Sequence, residues 1–164
     1  MHRTEVLIVG AGPVGLTLAV ELGRRGIASV LAERKPAPEF LPKMERCNAR
    51  TMEMYRRIGL ADRIRAAGLR ADVPMDVFVV LDMTKPPLLL LPYPSVAAAR
   101  EQIRAVNDGS QPCEPYQLIS QYTLEPLPSV TLRYGHEFLD FAQDETGVTA
   151  TLATATGSAQ VRAK

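Results

Sequence analysis

At 164 residues, 46% of them hydrophobic and 23% charged, the chain is the size of one domain and has globular rather than disordered composition. Its formal net charge of +1 gives no pull toward nucleic acid or anionic membranes, and 5% aromatic residues with no Trp argue against a base-stacking surface. Two cysteines, Cys47 and Cys113, lack CxxC spacing and nearby histidines, so they read as reduced thiols of a cytoplasmic protein rather than a disulfide framework or metal site.

The first elements read as strand, helix, strand over residues 1–34. Thr4 to Val9 is a short apolar run rich in β-branched residues and ending at glycine, the pattern of a strand buried on both faces. Pro13 suits the first turn of a helix, and Val14, Leu18 and Leu22 at i, i+4 and i+8 predict the stripe that packs on the sheet. Arg24 and Arg25 favour the last turn, and Gly26 stops it. Ser29 to Ala32 is a second strand, closed by Glu33 and Arg34.

A proline-containing link, 35–42, leads to a helical segment spanning 44–68. One helix is predicted from Asn48 to Ile58, with Met52, Tyr55 and Ile58 on its inner face, and a shorter one from Ala61 to Ala67. Met44, Met52 and Met54 read as core filling. A mixed β segment, 76–164, follows. It has a strand at Asp76–Asp82, a proline-rich stretch at 83–117 with a helix at Val96–Val106, and strands at Val130–Tyr134, Phe138–Gln143, Val148–Leu152 and Ala159–Ala163. Hairpin turns are expected at Asp144–Gly147 and around Gly157. The apolar run Leu88 to Leu91 is boxed in by prolines, and no run approaches the ~20 residues needed to span a bilayer.

Gly10-Ala11-Gly12-Pro13-Val14-Gly15 matches GxGxxG, and each glycine has a physical duty. Gly10 permits the turn out of the strand, Gly12 lets backbone approach a pyrophosphate, and Gly15 lets the helix lie close on the sheet. The helix N-terminus then offers free N–H groups and partial positive charge to phosphates. The pattern alone is weak. Here it lies between a predicted strand and helix, and Glu33, 18 residues beyond Gly15, is placed to accept hydrogen bonds from ribose hydroxyls. That carboxylate would repel the 2′-phosphate of NADP. The fingerprint does not separate FAD from NAD.

Glu33-Arg34, the stretch from Pro42 through Arg46-Cys47-Asn48-Ala49-Arg50-Thr51-Met52-Glu53, and Arg56-Arg57-Ile58-Gly59-Leu60 resemble the class A flavoprotein aromatic hydroxylases of the phenol and p-hydroxybenzoate hydroxylase type. Ile119-Ser120-Gln121 through Leu127 resembles the segment of that family that brings a glutamine to the flavin, and the closing Val161-Arg162-Ala163-Lys164 resembles the ribbon preceding its Asp-Gly motif. The resemblance implies a Rossmann-like α/β FAD/NAD(P)-binding domain with a parallel sheet and an antiparallel hairpin region, incomplete relative to the family. It implies FAD as cofactor, NAD(P)H and O2 as co-substrates, and a small aromatic substrate. Gly10, Ala11, Gly12, Pro13, Val14 and Gly15 would hold the pyrophosphate, with Glu33 and Arg34 at the ribose and adenine. Arg46 or Lys43 would sit near the flavin-side phosphate or the NAD(P)H path, and Gln121 near the ribityl chain. Later Asp-Gly and Gly-Asp turns and most of the substrate pocket are expected beyond Lys164, so no catalytic residue is assigned and no metal is expected. Prolines 126 and 128 are expected to shorten a helix that the family extends there. A non-catalytic nucleotide-binding module with a sheet edge open to homo-oligomerise is the competing reading. His2, at a frayed terminus, and His136, between strands, lack a Ser, Cys or metal partner in sequence; Cys47, though beside Arg46, reads as a buried thiol.

Overall fold

The computed structural model describes residues 1–38, 40, 44–124 and 132–164. Contacts divide the chain into two compact units, Met1–Lys43 with Gln121–Lys164, and Met44–Ser120. The stretch read as one mixed β segment, 76–164, is thus shared between both.

In the first unit, β1 (His2–Arg3) precedes β2 (Val6–Val9), α1 (Pro13–Arg24) and β3 (Ser29–Glu33). β2 and β3 pair in parallel, Val6 opposite Ser29 and Val9 opposite Ala32, so α1 is the crossover of a βαβ unit. The helix buries Leu16 and Ala19 against Ile8, Ala11 and Leu31, with Val6, Leu22 and Leu132 packed around them. The expected stripe is therefore corrected: Val14 is 84% exposed and Leu18 is exposed as well. Gly15 sets the rotation, because only its face can lie directly on the loop and strand.

The unit's later elements are α5 (Gln121–Leu124), β8 (Leu132–Tyr134), β9 (Glu137–Asp144), β10 (Gly147–Thr154) and β11 (Gly157–Ala163). β8 joins β3 in parallel, Leu31 opposite Leu132, giving the order β2-β3-β8. It is thus the third strand of the parallel sheet, not a member of the hairpin series that follows. β9, β10 and β11 form an antiparallel ribbon, with β1 pairing in parallel on β11. Ala32, Leu152 and Val161 bury together with Leu7 and Phe138, which packs the ribbon onto the parallel sheet. His2, read as part of a frayed terminus, instead sits in β1 with Nδ1 3.3 Å from the Arg133 guanidinium. The parallel sheet, crossover helix and ribbon constitute the expected Rossmann-like α/β fold.

The second unit contains β4 (Arg46–Cys47), α2 (Ala49–Arg57), α3 (Ala61–Ala67), β5 (Val77–Val79), β6 (Leu89–Leu91), α4 (Val96–Val106) and β7 (Gln117–Leu118). Asn48 caps α2, its side chain accepting from the Thr51 amide at 2.8 Å, and Ser95 caps α4 by accepting from Ala98. α2 buries Met52 and Tyr55, while Met54 is 44% exposed and is not core. β4 pairs antiparallel with β7, and β5 with β6. The expected strand at Asp76–Asp82 shrinks to three residues, and the proline-flanked Leu run becomes its partner. Among the described residues no helix is long and apolar enough to cross a membrane.

Candidate cofactor site

The first unit brings Gly10–Gly15, Glu33 and Arg34 together. β2 and β3 end side by side, so the loop after one and the carboxylate closing the other are neighbours. Gly10 turns the chain at φ +99°, a left-handed conformation that side chains rarely adopt, while its amide donates to the Ala32 carbonyl at 2.8 Å. A Cβ on Gly15 would be driven into the Gly10 carbonyl oxygen, so that glycine is demanded by helix-on-loop packing.

Gly12 is different. It caps α1 with extended backbone and no side-chain cap, and a Cβ there would meet no protein atom within 4 Å. Its small size serves nothing in the protein's own packing, whereas the open space above an uncapped helix start suits a phosphate. Pro13, at the first turn, has no N–H to waste, and the exposed Val14 stands on the helix's outer face.

Glu33 faces the loop. Its Oε2 accepts from the Ala11 amide at 2.8 Å and its Oε1 from the Lys35 amide at 3.0 Å. Carboxylate oxygens carry about four lone-pair sites in all, so both retain capacity for a sugar hydroxyl. Beside it lies a cavity of about 280 Å3 lined by Val9, Gly10, Ala32, Glu33, Arg34, His136, Glu137 and Phe138. The last three went unassigned in the sequence. Only pairing of β8 onto β3 brings them here: the His136 amide donates to the Glu33 carbonyl at 2.9 Å, and that of Gly135 to Lys35 at 3.1 Å. The turn glycine after Tyr134 was the one local signal.

Other predicted site residues stand elsewhere. Gln121 opens α5 in the first unit and is half-buried. Lys43 and prolines 126 and 128 lie outside the described residues. Arg46 belongs to the second unit, on β4, half-exposed and 3.4 Å from the Glu45 carboxylate. Cys47, next to it, is buried, and burial pushes its thiol up to about 11 against the opposing pull of the Arg65 charge. Among the described residues no cluster of His, Cys, Asp or Glu could hold a metal ion.

These residues fit the ADP half of a dinucleotide, and similarity to known proteins says which. The family model for the FAD binding domain matches residues 3–164. The chain is 38% identical over 126 residues to the FAD-dependent monooxygenase apdD of Emericella nidulans, covering 76% of this chain and 20% of that protein. It is 31% identical over 176 residues to aklavinone 12-hydroxylase RdmE of Streptomyces purpurascens, covering 99% and 32%. In structure it matches the flavin-dependent monooxygenase PieE, solved with FAD and substrate, with a TM-score of 0.81, 30% identity and coverage of 98% and 29%. The chain thus spans a fifth to a third of the relatives' length. With a βαβ crossover, a glycine-lined helix start and an acidic strand end all in place, the chain belongs to the FAD binding domain family, and the relatives it resembles are FAD-dependent monooxygenases and hydroxylases.

Proposed function

We propose that residues 1–164 are the N-terminal part of the FAD-binding domain of a cytoplasmic monooxygenase that hydroxylates a small aromatic substrate with NAD(P)H and O2. The observation that supports this reading is the 2.8 Å bond from the Ala11 amide to Glu33, which holds the carboxylate proposed for the ribose beside the open space at Gly12. The backbone of Gly10–Gly15 binds the pyrophosphate, and the amides at the start of α1 orient it. Glu33 accepts from the adenosine ribose, and the cavity beside Arg34 encloses the adenine end. Gln121 approaches the ribityl chain, and Arg46 or Lys43 serves the flavin-side phosphate or the path of NAD(P)H. FAD supplies the redox and oxygen chemistry, while the protein binds, orients and shields it.

The test is titration of the chain with FAD, followed by flavin fluorescence. Wild type is expected to bind, and Gly12→Val and Glu33→Ala to weaken binding at least tenfold, since one fills the phosphate opening and the other removes the ribose acceptor. Unchanged binding in both variants overturns the assignment.

The second reading is a non-catalytic dinucleotide-binding module without hydroxylase activity. NAD(P)H-dependent O2 uptake by the FAD-loaded chain separates the two readings. Uptake supports the monooxygenase, and FAD binding without uptake supports the module.

A further inference from the structure

His136 lines the cavity beside Glu33, and its ring is held in one tautomer by the backbone. The 135–136 backbone is pinned to the end of β3 by the amide bonds to Lys35 and Glu33. Nδ1 of the ring lies 2.9 Å from the Tyr134 carbonyl oxygen. A carbonyl only accepts, so Nδ1 carries the hydrogen of the neutral imidazole, and Nε2 is left with a lone pair and no hydrogen. Among the described residues Nε2 has no hydrogen-bond partner. The other side chains lining the cavity are the carboxylates of Glu33 and Glu137, the guanidinium of Arg34, and the apolar Val9, Ala32 and Phe138. Glu33 is engaged with the loop, which leaves His136 as the uncharged acceptor of the cavity.

We infer that His136 selects the base: its Nε2 accepts a hydrogen bond from the C6 amino group of adenine. This rests on the reading that the cavity takes the adenosine end of the cofactor. A purine with a carbonyl at C6 sets lone pair against lone pair. A donor at Nε2 then needs either the hydrogen moved from Nδ1, which breaks the bond to Tyr134, or a second proton, which alkaline pH withholds. Discrimination therefore comes from an acceptor that cannot readily become a donor.

ADP and IDP, which differ at this C6 group, are the probes, titrated calorimetrically into the full chain at about pH 8.5, where an imidazole is neutral. Wild type is expected to bind ADP roughly tenfold more tightly than IDP, the factor expected when one buried polar contact is lost. In His136→Phe the ratio is expected to fall toward one, chiefly through weaker ADP binding. His136→Gln, whose amide can present either a donor or an acceptor, is expected to bind both nucleotides with a ratio near one, and it serves if His136→Phe does not fold. A wild-type ratio near one, or a wild-type ratio retained in the variants, overturns the role of His136 while leaving the cavity assignment standing. Failure of wild type to bind either nucleotide overturns the cavity assignment, and this inference with it.

Discussion

Gly12 and Gly15 carry the same letter in the motif but answer to different demands, and substitution separates them. A methyl on Gly15 has to displace the Gly10 carbonyl, which is backbone and cannot rotate away. Gly15→Ala is therefore expected to destabilise the chain by about 1–3 kcal/mol, the usual cost of overpacking, read as a lowered thermal midpoint. A methyl on Gly12 meets nothing in the protein, so Gly12→Ala should shift stability by no more than ~0.5 kcal/mol while reducing FAD affinity. Melting curves and FAD titrations on the same two variants check the pair. Cys47 makes a second prediction at this scale. Its thiol is pushed up to about 11 in the folded chain from 9.0, so the native state holds its proton where the unfolded chain has lost it. The stabilisation is full below about pH 9 and is lost as pH rises toward 11, by up to about 3 kcal/mol. Urea unfolding across that range should show the decline, and Cys47→Ala should flatten it. At pH 8 a thiol reagent should modify the exposed Cys113 quickly and Cys47 only on unfolding.

At the scale of elements, the second unit is tied by a buried charge cluster. Arg65 on α3 donates to Gln117 Oε1 at 2.8 Å and to the carbonyls of Tyr116 and Pro115, and pairs with Glu114 at 3.1 Å. Glu114 also reaches Arg100 of α4 at 3.3 Å and Arg56 of α2 at 4.0 Å. One carboxylate thus gathers three helices onto the 114–118 segment, and Gln117, fully buried, fastens it further by donating to the Leu69 and Leu118 carbonyls. Removing Arg65 leaves a nearly buried carboxylate with only its more exposed partners, Arg100 and Arg56, and orphans three backbone or amide acceptors. Arg65→Met is expected to cost roughly 3–5 kcal/mol in urea unfolding, whereas Arg50→Met, which breaks an exposed pair with Glu53, should cost at most ~1 kcal/mol. In the ribbon of the first unit, Arg162 of β11 grips Asp144 and Thr146 at the β9–β10 turn and Thr149 on β10. The guanidinium holds the Asp144 carboxyl well below its usual range. Its contribution is present above about pH 4 and fades as acid protonates the carboxylate.

For the whole molecule, the telling feature is apolar surface without cover. Val9 and Val14 in the first unit, and Leu81, Met83 and Leu88 in the second, are largely exposed, Leu81 and Met83 at 88% and 89%. Scattered exposed hydrophobics are ordinary, but contiguous ones such as Leu88 to Leu91 on a two-stranded hairpin are not. β2 is also an edge of its parallel sheet, with main-chain groups on its outer side. The 164-residue chain on its own is predicted to self-associate with rising concentration and to bind a hydrophobic dye in its folded state. Light scattering behind size-exclusion chromatography checks the first, and a concentration-independent monomer would contradict it.

Local patterns in the sequence were enough for the βαβ unit, both caps' helices and the ribbon, because each rests on periodicity, glycine or proline within a few residues. The α4 helix was legible at Val96–Val106 even amid prolines. The loop of Gly10–Gly15 and the acid at position 33 were legible for the same reason: strand, turn and helix there are contiguous. Tertiary structure alone decided which face of α1 is buried, since Gly15 rather than the apolar stripe sets the approach to the sheet. It alone turned β8 into a parallel neighbour of β3 and so carried His136 to Glu33 across about a hundred residues of chain. No periodicity records such a meeting, because strand pairing depends on hydrogen bonds between segments whose distance in sequence carries no local signal.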